Sequence, residues 1–378
     1  MRRKIKWIFT LIAILLFLFV GDKLPGEPLS SRAMVVGFGI DLEGDSSVKI
    51  SAQILNAASA SETSGQTTQV VTATSSTISG AMSRIGEKSG STVALTHCNV
   101  VFLCQKLAKS RQFYSILNYL ITNDYLSENA YLFAVDGKAE DFMTSATAFG
   151  GNLSLYIQKA VGMHGEYVDL PIKTLRDVLV SYHSLGQTNW IPVLKKEPLT
   201  PEQSESGQSP SDEQSVFTAN SLYVLKKNVF LAEYGEAGAR ALNLAKNEVK
   251  KGVVESVGDH GEKIVCLITG KKAKFSYDLE KKTVDLALSI NAIVKEIVDY
   301  SSDDAYVDRT QMTDEEVKRA QSQIADEVEA FFVDLRQKDA DIFGVLDGFY
   351  SKYGKQTAAL TIGDINLKVN VDLKVSKV

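Results

Sequence analysis

The chain has 378 residues, with 41 Lys and Arg against 46 Asp and Glu, a net charge of −5 and 44% apolar residues. That is enough chain for two or three domains and enough apolar material for real cores. The acidic balance excludes a nucleic-acid binder, which needs clustered Lys and Arg, and gives no basis for broad attraction to anionic lipid.

Arg2, Arg3, Lys4 and Lys6 precede an uncharged run from Trp7 to Val20. A basic start before an apolar run reads as an export signal or anchor over residues 1–21. As a helix the run spans only ~21 Å, short of a ~30 Å hydrocarbon core. It is therefore a marginal span, seated by Trp7, Ile8, Leu11, Leu15, Leu16, Phe17 and Val20, with Lys6 and Lys23 snorkelling at its ends. Asp22 stands where a bacterial lipoprotein signal places its cysteine, so no thiol can be acylated there. The rest of the chain is expected outside the cytoplasm.

Residues 22–195 are expected to form an N-terminal α+β region of one or two subdomains. Met34–Asp41 and Val48–Leu55 read as a hairpin, and 57–69 as a polar loop. Ser75–Glu87 has helical spacing at Ile78, Met82 and Ile85. Val93–Leu103 reads as one strand buried on both faces, Leu107–Ile121 as a helix, and Ala130–Val135 as a strand. Lys138–Ala146 and Leu175–Leu185 read as helices, the second ending on Gly186 at a C′ position. Residues 196–215 are rich in Pro, Ser, Gln and Glu and read as a flexible linker.

A C-terminal α+β domain is expected over 216–378. Strands are predicted at Val216–Leu225 and Val229–Ala232, and a helix at Glu236–Lys246. Three short strands follow at Val253–Val257, Lys263–Thr269 and Ala273–Asp278. Thr283–Val294 alternates well, with Val284, Leu286, Leu288, Ile290, Ala292 and Val294 on one face, and Ile365–Val375 alternates strictly. Thr313 and Glu316 form a capping box ahead of a helix whose stripe is Val317, Ala320, Ile324, Val328, Phe331 and Leu335. The fold class is thus α+β, with mixed sheets packed against helices in more than one domain.

Chemistry is sparse. His97, His164, His183 and His260 show no zinc spacing, and neither a nucleophile elbow nor a P-loop is present. His97 reads as a core histidine at a strand start. Gly37 and Gly39 begin a Gly-x-Gly pattern with no helix after it, so they read as close-packing glycines. Cys98 and Cys104, six apart on one strand, would lie ~20 Å apart, beyond disulfide reach. The acidic turn Ser301–Asp304 misses calcium-loop spacing. No catalytic residue, metal or cofactor is implied.

Several segments, in order, resemble the Ger(x)C family, the C subunits of bacterial spore germinant receptors. They are Val36-Gly37-Phe38-Gly39-Ile40-Asp41, Gln53-Ile54-Leu55-Asn56, Thr96-His97-Cys98-Asn99-Val100 and Tyr131–Ala139. Beyond the linker they continue with Ser221–Lys227, Gly235–Arg240 and Asp341-Ile342-Phe343-Gly344. The resemblance singles out Gly37, Gly39, Asp41, Gln53, His97, Asp341, Phe343 and Gly344 as motif residues without assigned roles. It implies a non-enzymatic receptor subunit on the outer face of the bacterial cytoplasmic membrane, the inner membrane of the spore. Its implied partners are integral-membrane subunits of A and B type, in a complex that responds to small nutrients. The family is usually lipid-anchored, and Asp22 departs from that pattern. The alternative is a membrane-tethered solute-binding or sensor protein, which should show a cleft between two similar lobes. An extracytoplasmic hydrolase would need a nucleophile and base within reach.

Overall fold

Val100–Cys104 and Tyr131–Val135 are apolar throughout, and they lie near the middle of a large mixed sheet. The computed structural model describes residues 7, 10–14, 32–44, 46–55, 68–122, 126–147, 152–198, 214–300, 306, 309 and 311–376. In chain order the first strands are β1 (Arg32–Glu43), β2 (Ser47–Leu55), β3 (Thr68–Ser75), β4 (Thr92–Ala94), β5 (Val100–Cys104), β6 (Tyr131–Val135), β7 (Ala146–Thr147), β8 (Thr188–Pro198), β9 (Gln214–Lys226) and β10 (Val229–Tyr234). Their order across the sheet is β10-β9-β8-β6-β5-β1-β2-β3, with β4 beside β1 and β7 beside β9. The central pairs β1/β5, β5/β6 and β6/β8 are parallel, and the hairpins at either side are antiparallel.

Parallel strands need both faces covered, and the helices do this. They are α1 (Ile78–Ser89), α2 (Gln105–Ala108), α3 (Phe113–Thr122), α4 (Ala139–Thr144), α5 (Leu153–Gly162) and α6 (Leu175–His183). Side chains of β5 alternate between two cores, as the two-residue strand period requires. Val101 and Leu103 join Ile85 of α1, Leu107 of α2, Leu117 of α3 and Val178 of α6. Val100 and Phe102 join Phe142 and Met143 of α4 and Ile157 of α5.

The second half contains α7 (Glu236–Ala245), β11 (Gly252–Val257), β12 (Lys263–Asp278), β13 (Thr283–Val298), α8 (Asp314–Gln337), α9 (Val345–Tyr353) and β14 (Asn366–Ser376). Its sheet runs β11-β12-β13-β14, with β14 parallel to β13. The period-two face of β13, from Val284 to Val294, is buried throughout. It meets the buried stripe of α8, Ala320, Ile324, Val328, Phe331 and Leu335. The capping box is formed: Thr313 Oγ1 accepts the Glu316 N–H at 3.2 Å, and Glu316 Oε2 accepts the Thr313 N–H at 2.8 Å. Trp190 of β8 and Leu222 and Val224 of β9 share this core with α7, so the two halves are packed together.

Several elements differ from the sequence reading for local reasons. The predicted strand 93–103 is two strands parted by a turn. Exposed Thr96 and His97 break it, and the Cys98 N–H closes the turn on the Leu95 carbonyl at 2.9 Å. Cys98 is therefore off the strand that ends at Cys104, and the shared-face argument for the two does not apply. All three cysteines are free and buried, and burial pushes the Cys98 thiol up to about 12. The predicted helix 107–121 is α2 and α3, separated where Ser110 Oγ accepts the Gln112 N–H at 3.2 Å. Such local side-chain bonds compete with helix propagation.

The predicted strands 263–269 and 273–278 are one strand, β12, with an irregularity at Ile268/Gly270 instead of a turn. Five elements were not anticipated at all: β3, β7, α5, β8 and α9. Gly186 is not a left-handed helix terminator. The helix ends at extended Ser184, and the positive φ of 46° falls on Gln187. β8 and β9 pair from Thr188/Lys226 to Pro198/Ser215, so the Pro- and Ser-rich stretch runs between two neighbouring strands of one sheet. Residues 199–213 and Ser301–Asp304 lie outside the described residues.

Candidate functional site

The motif residues of the first half converge on one structural latch. β1 and β2 pair Gly37 with Gln53, and α4 and α5 lie against that place. α4 begins at Lys138 with no side-chain cap of its own. Asp41, 2% exposed, supplies the cap from a different element. Its Oδ1 accepts the Ala139 N–H at 2.7 Å and its Oδ2 the Glu140 N–H at 2.9 Å. A carboxylate at a helix N-terminus also opposes the positive end of the helix dipole. Burial raises the Asp41 carboxyl above its usual range, and the two N–H bonds act against that rise.

Gln53, fully buried, holds the other end of α4 and the start of α5. Its Nε2 donates to the Met143 carbonyl at 2.9 Å, and its Oε1 accepts from the Ser154 N–H at 3.2 Å and from the Ser154 hydroxyl. The glycines permit this approach. A Cβ on Gly37 would run into Ser154, and one on Gly39 into Met143. Gly37→Ala is therefore expected to lower stability by about 1–3 kcal/mol, the usual range for overpacking. Chemical denaturation would measure it, and adding Ser154→Gly should restore part of the loss.

His97 is neither buried nor beside this latch. It is exposed in the turn after β4, which corrects the core-histidine reading. Of the other histidines, His164 Nδ1 lies 3.0 Å from the Val161 carbonyl and His183 Nε2 lies 2.9 Å from the Tyr114 hydroxyl. Among the described residues no cluster of His, Cys, Asp and Glu is placed to hold a metal ion.

Asp341, Phe343 and Gly344 form a second latch, where the halves meet. Gly344 has φ of +72° at the N-cap of α9, a conformation that glycine adopts without strain. Asp341 caps the same helix from three residues earlier. Its Oδ1 accepts the Val345 N–H and its Oδ2 the Leu346 N–H, both at 2.9 Å. Its own N–H donates to Thr188 Oγ1 of β8 at 3.0 Å. A Cβ on Gly186 would come within 2.7 Å of the Asp341 Cβ, so that glycine admits the contact. Phe343 packs against Phe275, Phe331 and Phe332, between the α8–β13 core and a smaller core of Phe332, Val345 and Phe349. Nearby, Asp347 Oδ1 accepts the Leu185 N–H at 3.2 Å, and Lys226 pairs with Asp339. Burial pushes the Asp341 carboxyl up to about 6, against the pull of the N–H groups it accepts.

The eight motif residues thus resolve into two helix-capping latches and one exposed turn histidine. Their partners Ser154, Gly186, Thr188 and Asp347 were not anticipated, because long-range packing leaves no local pattern. One signal was legible: Asn152 caps α5 by accepting the Leu155 N–H at 2.9 Å, and an Asn before an apolar run marks a helix start.

Of the anchor residues, Trp7 and Leu11 are described and exposed. Ile8, Leu15, Leu16, Phe17 and Val20 lie outside the described residues. Among the described residues no helix is long and apolar enough to cross a membrane.

Residues 26–196 match the family described as spore germination protein N-terminal domain, and residues 220–378 match spore germination B3/GerAC like, C-terminal. The fold is similar to the crystal structure of the GerBC protein, with a TM-score of 0.51 at 15% identity over 90% of this chain and 96% of that one. No curated protein matches the chain. The two family matches follow one another over most of its length, so the chain belongs to the GerAC family of spore germination proteins and is a non-enzymatic, extracytoplasmic subunit of germinant-receptor type.

Proposed function

We propose that this chain is the C subunit of a nutrient germinant receptor, held at the outer face of the bacterial cytoplasmic membrane, which is the inner membrane of the spore. Its partners are integral-membrane subunits of A and B type, and the complex responds to small nutrients. The observation that carries this reading is the ordered match of both halves to the two GerAC family domains. The two latches fit a scaffold role. Each commits a buried carboxylate to positioning a helix, which leaves it no part in turnover. Attachment is through residues 1–21 without lipid, because Asp22 offers no thiol. Spores lacking the chain should lose or slow their response to one nutrient class and regain it when the gene is restored. An unchanged response to every nutrient tested would remove the receptor assignment.

A further inference from the structure

One surface groove lies where helices of both halves meet. α3, α6 and α9 flank a groove of about 730 Å³ that is widely open to solvent, lined by Tyr114, Asn118, Leu179, Val180, His183 and Asp347 among others. That volume suits a small organic ligand. The wall is mostly apolar, and Val180 within it is 64% exposed. Tyr114 is braced: its ring stacks on Tyr182 with centroids 3.4 Å apart, and its hydroxyl lies 2.9 Å from His183 Nε2. A ring fixed in advance adds little ordering cost on binding.

The lining includes one carboxylate, Asp347, and no Lys or Arg. Asp347 has no ion-pair partner among the described residues; its Oδ1 accepts the Leu185 N–H at 3.2 Å. Asp347 sits in the first turn of α9, where the helix dipole and the Leu185 N–H balance part of its charge. The remainder, with no Lys or Arg in the lining and beside an aromatic ring and an aliphatic wall, favours a cation with an apolar body. The carboxylate gives a charge-assisted hydrogen bond, and the ring face attracts an ammonium group.

We infer that this groove binds a small protonated primary amine with a short hydrophobic body. The ammonium sits at Asp347, and the body lies against Tyr114, Leu179 and Val180. The lining comes from both halves, so a bound amine bridges them beside the Leu185–Asp347 hydrogen bond. This goes beyond the subunit assignment and does not depend on the membrane partners.

The test is titration of the purified full chain in detergent at pH 8 with isoamylamine, isoamyl alcohol and isovalerate, followed by calorimetry. The amine should bind saturably, the alcohol about tenfold more weakly, the step that one charge-assisted bond supplies, and isovalerate not at all. Asp347→Asn retains an acceptor for the Leu185 N–H and should melt like the parent chain, yet lose about tenfold in amine affinity by the same reasoning. Val180→Ser should weaken the amine without changing folding. Absence of saturable amine binding, equal affinity for the alcohol, or unchanged amine affinity in a folded Asp347→Asn chain overturns the inference.

Discussion

Glu316→Ala is expected to cost the second half of the chain about 3–4 kcal/mol, the lower part of the range for removing one partner of a buried ion pair, because Arg309 keeps 30% of its side chain exposed and stays partly solvated. Typical domain stability is only about 5–15 kcal/mol, so this is a large share of it. Glu316 is fully buried and serves three groups. Both its oxygens face the Arg309 guanidinium, at 2.6 and 2.7 Å. Oε2 also takes the Thr313 N–H of the capping box, and Oε1 takes the Asp259 N–H at 3.3 Å. Arg309 is the chief cause of a carboxyl pulled down to about 2. A depressed folded value gives stability that is present above the unfolded value and lost as pH falls. The window therefore runs from about 4.5 down to about 2. Glu316→Gln keeps the cap acceptor but strands Arg309, so it should lose less and show no dependence in that window. Urea midpoints taken from pH 2 to 6 on the three proteins would measure both effects.

Asp341→Ala should be the second large loss, about 2–4 kcal/mol. It uncaps α9 and leaves the buried Val345 N–H and the half-buried Leu346 N–H unsatisfied together. The pH dependence has the opposite sign from that of Glu316. A carboxyl raised in the folded state stabilises most below the unfolded value of 3.8, and that stability is lost as pH rises through about 6. The contribution is on the order of 3 kcal/mol. Asp341→Asn keeps one oxygen acceptor and should flatten the profile between pH 4 and 6 while preserving more stability than Ala. Thermal melts across that range would show whether the slope belongs to Asp341. Because this residue also touches Thr188 and Gly186, its loss should loosen the contact between the halves.

The second half was largely legible in the sequence because its signals are local. A capping box, a helical stripe on α8 and alternation on β13 and β14 each need only adjacent residues to be read. Breaks that depend on one or two side chains were not legible. A turn at Thr96–His97 and a single-residue irregularity near Gly270 leave the hydrophobic count almost unchanged. The composition of 196–215 could be read, but not the fact that its flanks pair as β8 and β9, since pairing is a long-range property. Gly37 and Gly39 could be read as close-packing glycines from the sequence, whereas Asp41, Gln53, Asp341, Phe343 and Gly344 were visible through resemblance alone. Their task, capping helices α4 and α9 from outside, depends on residues 98 or more positions away for Asp41 and on the meeting of two halves for Asp341.

The central claim is that this chain works as an assembled receptor subunit at a membrane. The most direct measurement is affinity capture of the tagged full-length chain from gently solubilised spore membranes, with mass-spectrometric identification of what co-purifies. Integral-membrane proteins of the A and B receptor types should appear in constant proportion to the chain, and a Glu316→Ala chain should capture neither. A folded, membrane-associated chain that brings down no integral-membrane partner would contradict the account.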